Sequence, residues 1–206
     1  MNSSRRIISI DIGYRHFGIV CMDVDLVSHD YTIQRLGIKD FITSNHTTTT
    51  SKQVIVYRGL YEWPFSILRQ LYEYLDSFSY LWKMCGPNIQ KPIHVLIERQ
   101  MEGKHRCNIK ALRLSQHVLA YFLLTSLDHV RVSEYSSKWK TQSFGVQFSK
   151  KSDRKKWTVE QTRQFLENLQ DPVSLDFWNM IKYEKKQDDV ADCIMMIRSF
   201  VDRNFF

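Results

Sequence analysis

Apolar residues recur along this chain in two rhythms, and the switches between them outline its elements. Arg6 to Ile12 is dense in isoleucine with weak alternation, which predicts a buried strand ended by Gly13. Phe17 to Val24 reads as the next strand, paired to the first through a short turn. Tyr31 to Ile42 reads as a third, with Gly37 as a bulge. The polar run Ser44 to Gln53, low in complexity over Thr47 to Ser51, predicts a loop. The rhythm then turns helical. From Pro64, a residue favoured in a first turn, apolar positions fall at Ile67, Leu68, Leu71, Leu75, Phe78 and Leu81, until Gly86 and Pro87 stop the helix. Ile93 to Ile97, apolar except for His94, predicts a central strand ending at Glu98. A helix from Asn108 to Leu127, a short strand at Val130 to Val132 and a helix from Asp153 to Leu169 follow. A loop with a short helix then leads to a last helix from Asp188 to Arg203.

Three strands able to form a meander, followed by alternating helix and strand, predict the α/β class: a mixed sheet with helices on both faces. The 206 residues suit a single domain spanning 1–206, and 43% hydrophobic residues supply a substantial core. No apolar run reaches the roughly 18 residues of a membrane span, and Leu119 to Leu124 is too short. No secretory signal is visible, and the five residues before the first strand leave little room for a mitochondrial transit peptide. Cys21, Cys85, Cys107 and Cys193 are far apart without a C-x-x-C pair, which argues against zinc and for reduced thiols in an intracellular setting.

The net charge of +7 fits a polyanionic partner, and its distribution sharpens the point. Between positions 138 and 156 stand Lys138, Lys140, Lys150, Lys151, Arg154, Lys155 and Lys156 against one acid, Asp153, with Trp139 and Trp157 interleaved. This stretch is the expected nucleic-acid contact.

Four carboxylates stand where a core does not place them without cause. Asp11 lies in the most apolar strand, where an ionised group is expensive unless compensated. Glu98 ends the central strand. Asp189 and Asp192 are three apart at the start of the last helix and so project from one face, while Val190, Ile194, Ile197 and Val201 form its packing stripe. Carboxylates without histidine or cysteine company are hard oxygen ligands, suited to Mg²⁺ or Mn²⁺. Two such ions about 4 Å apart serve an in-line phosphoryl displacement.

These residues carry a resemblance. Ile8-Ser9-Ile10-Asp11-Ile12-Gly13, continuing through Tyr14-Arg15 to Phe17-Gly18-Ile19, resembles the first motif of the RuvC-like resolvases. Ile97-Glu98-Arg99-Gln100 resembles the second, most closely in the resolvases of poxviruses, other large DNA viruses and fungal mitochondria. Lys186-Gln187-Asp188-Asp189-Val190-Ala191-Asp192 resembles the closing D-x-x-D motif. The match keeps the family's order over nearly the whole chain. Sugar kinases and actin-like ATPases share the D-x-G opening but need a second domain, for which this length leaves no room.

The resemblance implies a five-stranded ribonuclease H-like sheet, a homodimer, two Mg²⁺ ions (Mn²⁺ substituting) on Asp11, Glu98, Asp189 and Asp192, and paired symmetric nicks across a four-way (Holliday) DNA junction. It also implies a catalytic lysine near the scissile phosphate. The segment Glu134 to Lys140 matches that region and favours Lys140, with Lys138 and Lys156 as substitutes. The helix after Glu98 would be the dimer element, with Leu112, Leu119, Leu123 and Leu127 along one stripe and Leu114, Val118 and Phe122 widening it. A viral member would act in host cytoplasm and a fungal one in the mitochondrion. The enzymatic rival is a relative acting on an RNA–DNA hybrid or structured RNA. The other is a non-catalytic junction-binding protein, against which the presence of all four acids argues.

Overall fold

The computed structural model describes residues 3–13, 15–41, 65–83, 92–100, 108–126, 128–183 and 187–205. Strands β1 (Ser4–Asp11), β2 (Phe17–Asp25) and β3 (Tyr31–Lys39) form an antiparallel meander. β4 (Ile93–Glu98) lies parallel to β1, and β5 (Val130–Tyr135) parallel to β4, giving the order β3-β2-β1-β4-β5. Parallel neighbours need crossovers. Helices α1 (Phe65–Ser77) and α2 (Tyr80–Lys83) precede β4, and α3 (Ile109–Thr125) joins β4 to β5. Asn108 caps α3, its side-chain oxygen accepting from the Ala111 amide at 3.3 Å. After β5 come α4 (Trp139–Gln142), α5 (Lys151–Leu169), α6 (Pro172–Tyr183) and α7 (Gln187–Phe205).

Side chains alternate across β1 and sort the core into two halves. Ile8 and Ile10 pack with Val95 and Ile97 beneath Leu71, Leu75, Val118 and Phe122 of α1 and α3. Ile7 points to the other face, joining Leu96 and the residues Leu166, Trp178, Ile194 and Ile197 of α5, α6 and α7. Period two therefore turns Ser9 and Asp11 toward α7, and places Glu98, two residues beyond Leu96, on that same face. Each fully buried aliphatic side chain contributes about 1.5–3 kcal/mol. Apolar packing on both sides, rather than any carboxylate, holds the sheet together.

Several boundaries differ from expectation. Gly37 is no bulge: it pairs regularly with Ile19, and the register instead steps past Gln34, between Cys21 and Met22. Gly37 serves packing, because a Cβ there would stand 2.6 Å from Tyr74 Oη and 3.2 Å from Phe78 Cζ. The first helix breaks at Phe78 and Ser79, so Leu81 falls on α2. β5 continues beyond Val132 to Tyr135, and α6 runs for 12 residues. On α3, Leu114, Val118 and Phe122 belong to the core, while Leu123 and Leu124 are exposed. β3 stops at Lys39, short of the expected Ile42. The loop Ser44 to Gln53, Pro64, Gly86, Pro87, Cys85, Cys107, Leu127 and the motif residues Tyr14 and Lys186 lie outside the described residues. Cys21 and Cys193 are free and buried. Among the described residues no helix is long and apolar enough to cross a membrane.

Candidate active site

Each acid reaches the site through its element. Asp11 is the last residue of β1 and only 8% exposed. Glu98 ends the neighbouring strand β4, whose preceding residue Ile97 pairs with Ile10. α7 crosses this face of the sheet, with Val190, Ala191, Cys193, Ile194 and Ile197 buried against it. Asp189 and Asp192 consequently face the strand ends. Two contacts fix the helix there. Ser9 donates its hydroxyl to the Cys193 carbonyl oxygen at 2.7 Å. Gly18 lets the helix approach β2, since a Cβ would meet the Asp189 carbonyl oxygen at 3.1 Å and Cys193 Sγ at 3.2 Å.

Lys140 closes the cluster. Tyr135, at the end of β5, pairs with Glu98, and the single turn α4 follows it. Trp139 packs edge-on to Tyr135 with ring centroids 4.9 Å apart, and the Arg203 guanidinium lies 4.7 Å from the Trp139 ring. These contacts hold α4 against α7 and leave Lys140 only 3% exposed. Its Nζ is 2.8 Å from Glu98 Oε1 and 3.0 Å from Asp192 Oδ1.

The electrostatics follow from burial and crowding. Burial, then the neighbouring Glu98 charge, pushes the Asp11 carboxyl well above the usual range. Burial opposes ionisation of Glu98, but the Lys140 ammonium and the hydrogen bonds from Asp11 and Lys140 outweigh it and hold Glu98 at about 2. Asp192 is raised by burial, with Lys140 opposing and Glu98 reinforcing the shift. Asp189 is pushed up to about 7 by burial and by Asp188. Lys140 is raised despite its burial, because Asp192, Glu98 and Asp11 surround it. The cluster thus concentrates negative charge that one ammonium offsets only in part.

Of the three lysines considered from the sequence, Lys140 is the buried one; Lys138 and Lys156 are exposed. Lys150 and Lys151, at the start of α5, are exposed too. Arg154 is half-buried and lends its charge to lowering Glu98. Lys155 reaches back to the carboxylate of Asp188. Sequence reading gave no role to His16, whose Nδ1 lies 3.6 Å from Asp189 Oδ2. Gly13 shapes that turn: a Cβ would stand 2.4 Å from the His16 carbonyl oxygen.

The donor chemistry of Asp11, Glu98, Asp189 and Asp192 fits a hard divalent cation, since all four offer carboxylate oxygens and Lys140 alone offsets their charge. Their present arrangement is closed on Lys140. Among the described residues no group of three or more acids, histidines or cysteines is gathered closely enough to hold one ion.

No protein-family model matches the chain. It is 31% identical over 134 residues, 64% of its length, to Uncharacterized protein 97L of Invertebrate iridescent virus 3. It spans about half, 55%, of that viral protein. Solved structures are similar over almost the full length. The Fowlpox virus resolvase in complex with Holliday junction DNA has a TM-score of 0.58 at 15% identity, covering 96% of this chain and 97% of that one. Thermus thermophilus RuvC with a Holliday junction substrate has a TM-score of 0.54 at 11% identity, covering 97% of each chain.

The fold is that of the RuvC-like resolvases. In this ribonuclease H-like resolvase fold the three motifs read from the sequence sit at the end of β1, the end of β4 and the start of α7, where they meet.

Proposed function

We propose that this chain is a structure-selective DNA endonuclease that resolves four-way junctions by paired symmetric nicks. The observation that carries this reading is the convergence of Asp11, Glu98 and Asp192 on Lys140 at one end of a resolvase fold, with Asp189 one helical turn from Asp192. Folding energy alone does not account for such a cluster. Burying several carboxylates beside one ammonium costs more than filling the same space with apolar side chains.

Asp11, Glu98, Asp189 and Asp192 would hold two Mg²⁺ ions, or Mn²⁺ in their place. Such ions, when bound, supply activation of water and stabilisation of the leaving oxygen of a phosphodiester. The chain's own residues do the rest. β1, β4 and α7 carry the four carboxylates on rigid elements, at one end of the sheet. Lys140 supplies positive charge beside the reacting phosphate. Lys138, Lys150, Lys151, Arg154 and Lys156 would meet the DNA backbone, positioning it without reading its sequence. Lys150, Lys151 and Arg154 crowd the N-terminal turn of α5, where the helix dipole disfavours cations and favours an anion such as phosphate.

Two nicks related by symmetry imply two sites, hence a homodimer. Among the described residues, Ile109, Leu123 and Leu124 of α3 are exposed and offer an apolar surface for it. The test is a nicking assay on a synthetic four-way junction, linear duplex and an RNA–DNA hybrid. Mg²⁺ and Mn²⁺ should support symmetric nicking of the junction. Ca²⁺, which prefers more ligands and longer bonds, should support binding with little cleavage. Cleavage of the hybrid in preference to the junction would replace this reading with a ribonuclease one, and strong cleavage in EDTA would remove the metals from it.

A further inference from the structure

We propose that Lys140 is an exchangeable counter-cation: it fills the carboxylate cluster when no divalent ion is bound and gives up Glu98 and Asp192 when one arrives. This deepens, and rests on, the metal-nuclease reading above. Three observations carry it. Lys140 is among the most enclosed charged side chains of the described residues, yet it sits on the four-residue turn α4 rather than on a strand or a long helix. Its Nζ is within 3.0 Å of carboxylate oxygens from two separate elements, β4 and α7. Finally, the acids are gathered around that nitrogen, and no three of them among the described residues close on a separate point.

A divalent ion attracts carboxylates through the same oxygens that the ammonium now occupies. Glu98 Oε1 and Asp192 Oδ1 cannot keep short contacts with both cations without bringing two positive centres together at close range, where repulsion is strong in a buried site. One must yield. The lysine is tethered by a flexible four-carbon stem on a short turn, whereas Glu98 and Asp192 have shorter side chains rooted in β4 and α7, so the ammonium withdraws and the carboxylates turn to the metal. Its release has two consequences. The metal-free protein avoids the cost of a naked, buried acidic cluster. The freed ammonium, still anchored at α4, becomes available to a phosphate entering beside the metals. The lysine thus lowers the apparent metal affinity in return for a stable metal-free state.

The experiment compares the wild type and Lys140→Met, without DNA, by calorimetric titration with Mn²⁺. Methionine keeps a long unbranched side chain and removes the competing charge. The variant should bind Mn²⁺ at least tenfold more tightly, and Mn²⁺ should raise its thermal midpoint more than that of the wild type. A second measurement needs no variant. In wild-type protein an acylating reagent, read by mass spectrometry, should spare Lys140 in EDTA and modify it at saturating Mn²⁺. Exposed Lys138 and Lys150 should be labelled equally in both conditions. Equal Mn²⁺ affinity in a folded Lys140→Met protein overturns the exchange and leaves the metal site standing. So does Lys140 that stays protected at saturating Mn²⁺, which decides the matter if the variant does not fold. A wild type and variant that both fail to bind Mn²⁺ overturn the exchange and the metal-nuclease reading together.

Discussion

Ser9 of β1 donates its buried hydroxyl to the carbonyl oxygen of Cys193 on α7 at 2.7 Å, across 184 positions of sequence. Ser9 lies two residues before Asp11 and Cys193 one after Asp192, so this bond fixes the spacing between two acids of the site. A typical buried hydrogen bond is worth about 1 kcal/mol net. Ser9→Ala should lose about that much stability in urea unfolding. Nicking of a four-way junction in Mg²⁺ should suffer more than stability does, because α7 loses one of the two contacts that set its position on the sheet. A variant with wild-type nicking and wild-type stability would show that the bond positions nothing.

Much of this site is legible in the sequence because its signals are local. A carboxylate inside an isoleucine-rich strand, one at the end of an apolar run, and two three apart on a helix are each placed by short-range periodicity. The α7 boundary, Gln187 against an expected Asp188, shows how well amphipathic spacing fixes a long helix. What the sequence hides is tertiary. Lys140 has the spacing of a surface lysine, and only the docking of α4 between β5 and α7 buries it. Lys155 reads as one more phosphate contact, but folding brings it to Asp188. Gly37 shows the same limit: its missing Cβ answers to Tyr74 on α1 and to Phe78 just after it, not to the path of its own strand.

Stability of the metal-free protein should carry the mark of the crowded acids. Asp189, pushed up to about 7 by burial and Asp188, stays protonated in the folded protein at pH values where an unfolded aspartate has ionised. The folded state then binds more protons, so this group's contribution to stability falls as pH rises from about 4 to about 7. Asp11 and Asp192, also raised, act in the same direction. Glu98 acts oppositely: held at about 2, it stabilises above its ordinary range and loses that contribution as pH falls toward 2. Denaturation in EDTA at pH 5.5 and pH 8 should show wild type losing more stability than Asp189→Asn on going to the higher pH. Parallel profiles for the two proteins would contradict the raised Asp189.

Phosphate contacts by the basic segment should appear as salt dependence. Each contact with duplex arms contributes roughly 0.9 to the slope of log K against log salt. Replacing Lys150, Lys151 and Lys156 together by alanine should weaken junction binding and flatten that slope. Lys155→Ala should flatten it less, because its ammonium is already engaged by Asp188. Binding titrations at several salt concentrations measure both. An unchanged slope in the triple variant would take this segment off the DNA surface.

If the convergent carboxylates are catalytic and not folding staples, removing one should abolish turnover while leaving the fold and junction binding in place. The most direct measurement is single-turnover nicking of a four-way junction in Mg²⁺ by wild type, Asp11→Asn and Asp192→Asn, with junction affinity measured in Ca²⁺ alongside. Both variants should fold and bind the junction, since the apolar core is untouched. Metal-free stability should be equal or higher, because repulsion among the acids is relieved. Nicking should fall by orders of magnitude in each. Near wild-type nicking by both variants would show that these carboxylates are not catalytic.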